Sequence, residues 1–123
     1  MSIVLLWIGG ILGALCRFHA NRLLRGQTQS AFPWGTLLIN VTGSALLGLL
    51  MGLLAKHATW PTTQLGIFFG TGFCGAYTTF STFALETVEL WQRGARRATL
   101  LNALGQPLVG GLAAWLGLHF GAS

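Results

Sequence analysis

Gly70-Thr71-Gly72-Phe73-Cys74-Gly75-Ala76-Tyr77-Thr78-Thr79-Phe80-Ser81-Thr82-Phe83 lies inside a long uncharged run, and its composition is wrong for an ordinary apolar helix. Glycines at 70, 72 and 75 are followed by hydroxyls at 78, 79, 81 and 82, with aromatic rings set among them. Glycine costs about 1 kcal/mol against alanine in a helix interior, and threonine is a weak helix former. The combination predicts a helix interrupted near residues 75–79. Unwound backbone at membrane depth survives only where it is buried in protein or lines a wet cavity. In transporters such breaks aim free carbonyls and amides at ions.

Helical spacing sorts the side chains of this stretch. Phe80 and Phe83 fall about 60° apart on one face, which predicts two stacked phenyl rings. Thr78 and Thr82 form the neighbouring stripe, continued one turn later by Glu86. A kinked helix whose hydroxyls bond their own backbone would account for any one of these threonines, but not for the whole cluster. Gly70-x-Gly72-x-x-Gly75 also matches the dinucleotide-binding fingerprint, yet that motif needs a preceding strand and a βαβ unit. Neither is predicted, so that reading is rejected.

Working outward, only 7% of the 123 residues are charged and 53% are hydrophobic, where a soluble domain carries about a quarter charged residues. Too little polar surface remains to coat a globule. The chain reads as an all-α integral membrane protein, with one domain over residues 1–123. Its net charge of +5 does not point to nucleic acid. Arginines fall in the gaps between apolar runs, as membrane proteins encode orientation, and not in a stripe on a soluble face. Cys16 and Cys74 lie within apolar runs without metal-ligand spacing, and read as small packing residues. Leu15-Cys16 hints at a lipoprotein cleavage box, but no basic region precedes it, which also argues against a signal peptide.

Four spans follow, each about the 20 residues that a bilayer requires. The first runs to Leu24, with Arg17 and Arg22 snorkelling toward one interface. Gly9 and Gly13, with Arg17 continuing their face, have the small-xxx-small spacing that lets backbones approach. Residues 26–31 read as a polar connection, and Phe32-Pro33-Trp34-Gly35 opens a second span over residues 34–55. In that span Thr36, Asn40, Gly43, Ser44 and Gly48 make a small, polar stripe. The third span, residues 62–91, is the longest, and Glu86 and Glu89 near its end are the only acids in the sequence. The fourth runs over residues 98–120, with Asn102, Gln106, Gly110, Ala113 and Gly117 on one face and Pro107 expected to bend it.

Small helices with one polar stripe each make a poor pore alone, so an oligomer is expected. The interior candidates are Asn40, the hydroxyls of residues 78–82, Asn102 and Gln106, with phenyl edges beside them. Amides and hydroxyls donate hydrogen bonds, and ring edges are the positive part of the aromatic quadrupole. With arginines at helix ends, that set suits a small anion. The same oxygens could face a cation, so side-chain chemistry leaves the sign of the ion open.

Three segments carry a closer resemblance. Gly13-Ala-x-x-Arg17, Pro33-x-Gly-Thr-Leu-x-x-Asn40 and Gly72-Phe-Cys-Gly-x-x-Thr-Thr-Phe-Ser-Thr-Phe83 resemble, in order, the signature segments of the Fluc-type (CrcB-like) bacterial fluoride channels. The resemblance spans nearly the whole chain. It implies a passive fluoride channel of the bacterial inner membrane, built as an antiparallel homodimer with two pores. It implies Phe80 and Phe83 as pore phenylalanines and Asn40 as the pore amide. Ser81 and Thr82 would form the polar track and Arg17 would be the helix-end arginine, with Thr79 a further pore hydroxyl candidate. The backbone carbonyls of Gly75 and Thr78 from both subunits would hold a central structural sodium ion. The sequence departs from the family's pattern at Asn102 and Gln106, which stand where a tyrosine and a serine are usual. Tyr77 replaces an aliphatic or small residue.

Two other classes compete. A small proton-coupled exporter needs a membrane-embedded carboxylate, for which Glu86 is the candidate. A non-transporting assembly subunit would leave the polar stripes without a role. Orientation also conflicts with the resemblance. Six arginines fall on the side of loops one and three, and only Lys56 on the side of the termini. The positive-inside rule then puts both termini outside, whereas an antiparallel dimer needs a bias near zero.

Overall fold

A computed structural model describes residues 1–25 and 32–123 of the chain. The polar connection expected over residues 26–31 lies outside the described residues. Helix α1 is Ser2–Arg25 and α2 is Trp34–Lys56. Then α3 runs without interruption through an α-helical turn (Thr62–Leu65), a π-helical segment (Gly66–Cys74) and a last short turn (Gly75–Tyr77). After a two-residue break come α4, Phe80–Gln92, and α5, Arg96–Ala122. Among the described residues there is no strand.

Helix ends follow elementary signals. Arg22 and Arg25 stand in the last turn of α1 and Lys56 in that of α2, where cations complement the helix dipole. Pro33 and Pro61 directly precede α2 and α3, and Gly94, at φ 77°, turns the chain between α4 and α5. Pro107 does not interrupt α5.

Packing relies on glycine. α1 lies against α3, and α2 packs most extensively on α5. A Cβ on Gly9 would strike the Phe68 carbonyl oxygen, and one on Gly13 that of Phe73. Both are backbone atoms that cannot swing away, so the Gly9/Gly13 face expected from the sequence does let two backbones touch. Gly48 meets the Ala114 carbonyl and Gly117 that of Ala45 in the same way. Close backbone approach supplies dispersion contact where lipid offers no hydrophobic drive.

The distribution of burial is inverted relative to a soluble protein. Ile39, Cys74 and Leu90 are the buried apolar side chains among the described residues, whereas Asn102, Gln106, Thr36, Thr79 and Thr99 are all buried. Leucines, isoleucines and tryptophans face outward along α1, α2 and α5. Of the described helices, α1 and α2 are long and apolar enough to cross a bilayer by length and composition. Together these features describe a membrane protein.

The break falls within the expected window of residues 75–79, at its C-terminal end. Gly75 is helical (φ −62°, ψ −38°), and the chain extends at Thr78 (φ −80°, ψ 160°) and Thr79 (φ −148°, ψ 115°). Two β-branched threonines, at home in extended backbone, make the interruption, while Gly72 before it allows close approach, an added Cβ there meeting the Leu6 carbonyl oxygen at 2.9 Å. Thr78 therefore belongs to the end of α3 and not to the stripe of Thr82 and Glu86 on α4.

Candidate functional site at the helix break

An interruption leaves backbone groups without helical partners, and each must be satisfied. Asn40 of α2 does much of this. Its Oδ1 accepts from the Thr79 N–H at 2.9 Å while its Nδ2 donates to the Thr79 carbonyl at 3.1 Å. Thr79 caps α4: its Oγ1 accepts from the Thr82 N–H at 3.2 Å and donates to Thr82 Oγ1 at 3.1 Å. Ser81 Oγ lies 3.2 Å from the same oxygen. The expected polar track is thus one hydrogen-bonded cluster, built around a helix cap.

Arg17 departs from its expected place. It stands about two turns before the end of α1, and its Nη1 donates to the Thr78 carbonyl at 3.3 Å. An arginine held at membrane depth needs an acceptor, and the break provides one. Gly75 and Thr78 have freed carbonyls for a common reason. The Thr79 N–H, four residues after Gly75, goes to Asn40, and the Thr82 N–H goes to Thr79 Oγ1.

Behind Asn40 the amides continue in a chain. Asn40 Nδ2 donates to Gln106 Oε1 at 3.0 Å, Gln106 Nε2 to Asn102 Oδ1 at 2.8 Å, and Asn102 Nδ2 to Thr87 Oγ1 at 2.8 Å. Asn102 is wholly enclosed, with 0% exposure. Asn40, Thr79, Phe80, Phe83 and Gln106 line one groove of about 440 Å³, with Gly75 and Thr78 on its wall. The Phe80 and Phe83 rings are neighbours at 5.7 Å, but tilted by 53° and not stacked as expected. Phe80 is 79% exposed on the single chain.

Sequence reading missed several partners. Thr36 Oγ1 donates to Glu86 Oε1 at 2.8 Å, and Glu86 Oε2 is buried with no hydrogen-bond partner among the described residues. The pair lines a second cavity of about 220 Å³ with Thr82, Asn21 and Arg25, toward the arginine-rich end. Tyr77 contacts Thr42 Oγ1 through its hydroxyl at 3.0 Å and stacks on Phe73, tying the end of α3 to α2. Nothing in the local pattern signals that Thr87 anchors the amide chain.

Residues 4–118 match the protein family described as CrcB-like protein, Camphor Resistance (CrcB). The chain belongs to the CrcB family. It is 43% identical over 122 residues to the fluoride-specific ion channel FluC 1 of Symbiobacterium thermophilum, covering 98% of each chain. It is 44% identical over 123 residues to FluC 1 of Listeria monocytogenes, again covering 98% of both. FluC 2 of Moorella thermoacetica is 45% identical over 109 residues, 89% of this chain and 87% of that one. Membership makes this CrcB-family protein a relative of ion channels and not an enzyme.

Proposed function

We propose that this CrcB-family chain forms a passive, fluoride-selective channel that exports fluoride across the bacterial inner membrane. Two copies assemble antiparallel as a homodimer, each crossing the bilayer four times, with two pores along their shared face. The observation that carries the reading is the groove at the break, where two phenyl rings and a hydroxyl cluster meet amides in an apolar bundle. Ring edges and N–H or O–H donors complement a small anion. The groove is open on the single chain, and Phe80 stands almost bare there, which suits a face closed by a second copy. Names of the relatives give the ion.

Along this path Phe80 and Phe83 present ring edges, Asn40 lies at their level, and Thr79, Ser81 and Thr82 continue toward the cavity of Thr36 and Glu86. Gln106 opens onto the groove and Asn102 backs it. A structural sodium ion fits the break. Gly75 and Thr78 offer carbonyl oxygens freed from the helix, neither acid stands at the break, and a two-fold axis would double the set. Such donors suit a monovalent cation better than calcium or magnesium, which recruit carboxylates. When bound, the ion would supply positive charge between the pores.

Glu86 carries a second reading, because a buried carboxylate oxygen without a partner among the described residues is what a proton relay would present. Purified protein in liposomes separates the two. The channel reading expects fluoride efflux without a pH gradient and little chloride efflux. Efflux that stops when the proton gradient is collapsed would overturn it in favour of the exporter.

A further inference from the structure

The orientation of every amide at the break is forced, because the chain of hydrogen bonds is tied to the backbone at both ends. At one end Asn40 faces both groups of Thr79, so Oδ1 must meet the N–H and Nδ2 the carbonyl. At the other end the Thr87 hydroxyl spends its single hydrogen on the Phe83 carbonyl at 2.7 Å, leaving its oxygen only as an acceptor. Between them, Gln106 must turn Oε1 to Asn40 and Nε2 to Asn102, and Asn102 must turn Nδ2 to Thr87. A flipped amide anywhere would set donor against donor.

Counting protons then has a consequence. A side-chain amide carries two N–H donors. Asn40 has spent both, one on Thr79 and one on Gln106. Asn102 and Gln106 have each spent one. Asn102 is enclosed, so its second N–H reaches no ion. Gln106 lines the groove beside Phe80 and Phe83. We infer that the Gln106 Nε2–H, and not Asn40, is the amide donor offered to the permeating anion, while Asn40 is a clamp that holds the break and aims Gln106. The inference rests on the channel reading above, and it gives a donor role to a position where this chain departs from its family's usual residue.

The test is fluoride efflux from liposomes, read as rate and as half-saturating fluoride concentration, for wild type, Gln106→Met and Thr87→Val. Methionine keeps the length of glutamine and removes its donors; valine keeps the shape of threonine and unties the far end of the chain. Gln106→Met is expected to slow efflux about tenfold or more, the worth of one hydrogen bond to a charged partner, and to raise the half-saturating concentration. Thr87→Val unties Asn102 but leaves Asn40 to orient Gln106, so it is expected to lose clearly less than Gln106→Met on both readings. Should Gln106→Met fail to elute as wild type does, Gln106→Glu takes its place. It keeps an oxygen for Asn40 and replaces the donor by a negative charge, so the same loss is expected. Wild-type efflux and half-saturation in the Gln106 variant would overturn the inference, as would an equal loss in Thr87→Val, since the chain would then act only as a structural unit. Absence of fluoride efflux from wild-type protein would instead remove the channel reading itself, and the inference with it.

Discussion

At the scale of residues, the rings and the clamp make different predictions. Phe80→Ile and Phe83→Ile keep most of the apolar bulk and remove the polarised ring edge. Each is expected to cut fluoride flux strongly while the protein elutes as wild type; unchanged flux in both would take the rings out of the path. Asn40→Leu should instead act on stability. It strands the N–H and carbonyl of the buried Thr79 without that partner, at about 1–3 kcal/mol for each buried group left unmade. A lowered denaturation midpoint in detergent checks this, and an unshifted midpoint would mean that other groups satisfy Thr79. The chemistry of these residues was legible because hydroxyls, amides and rings have no lipid reason to cluster in an apolar run. Their partners were not. Asn40 and Thr79 are 39 positions apart, and no local periodicity relates them. The spacing of Phe80 and Phe83 gave adjacency correctly but not the 53° tilt, which packing sets.

At the scale of elements, four helical segments, the third of them interrupted, could be read from hydropathy and from the cluster of weak helix formers. The π-helical backbone of Gly66–Cys74 could not. It depends on how α3 lies against α1, and a local pattern does not encode that contact. The break came within the expected window but at the threonines, since Gly75 keeps helical dihedrals and Thr78 and Thr79 are the residues that extend. That assignment can be checked with a pair of glycines. Gly48 faces the Ala114 backbone, with carbon atoms at 2.8 and 3.0 Å from an added Cβ, whereas Gly105 on α5 faces nothing within 4 Å. Gly48→Val should force α2 and α5 apart and cost about 1–3 kcal/mol, as overpacking does. Gly105→Ala should be neutral or stabilising by about 0.5–1 kcal/mol through helix propensity. Equal melting of both variants would show that close backbone approach does not hold this bundle together.

At the scale of the whole molecule, the place of Arg17 bears on both orientation and the central ion. Its guanidinium is spent on the Thr78 carbonyl inside the bundle, so it does not belong in a count of interfacial charge. Five arginines then remain at one end against Lys56 at the other, still a bias that the positive-inside rule reads as a single orientation. The antiparallel dimer expects a C-terminal tag labelled from both sides of intact cells, and one external population would point to a parallel assembly. Across an antiparallel axis, the freed carbonyls of Gly75 and Thr78 would meet their counterparts as four oxygens. Each would cost several kcal/mol if left without a partner in the membrane. Arg17 reaches one lone pair of Thr78 at 3.3 Å, which leaves the other, and both of Gly75, for a shared cation. A sodium ion there would be enclosed by both subunits and so would exchange slowly. Prolonged dialysis against a large organic cation in place of sodium should therefore lower fluoride flux progressively, and returning sodium should restore it. Adding sodium back only after reconstitution, from one side at a time, should restore flux at the same slow rate from either side, because an antiparallel axis would lie midway between the two faces. Flux that is indifferent to exhaustive sodium removal would leave the four carbonyls to water or to Arg17 alone.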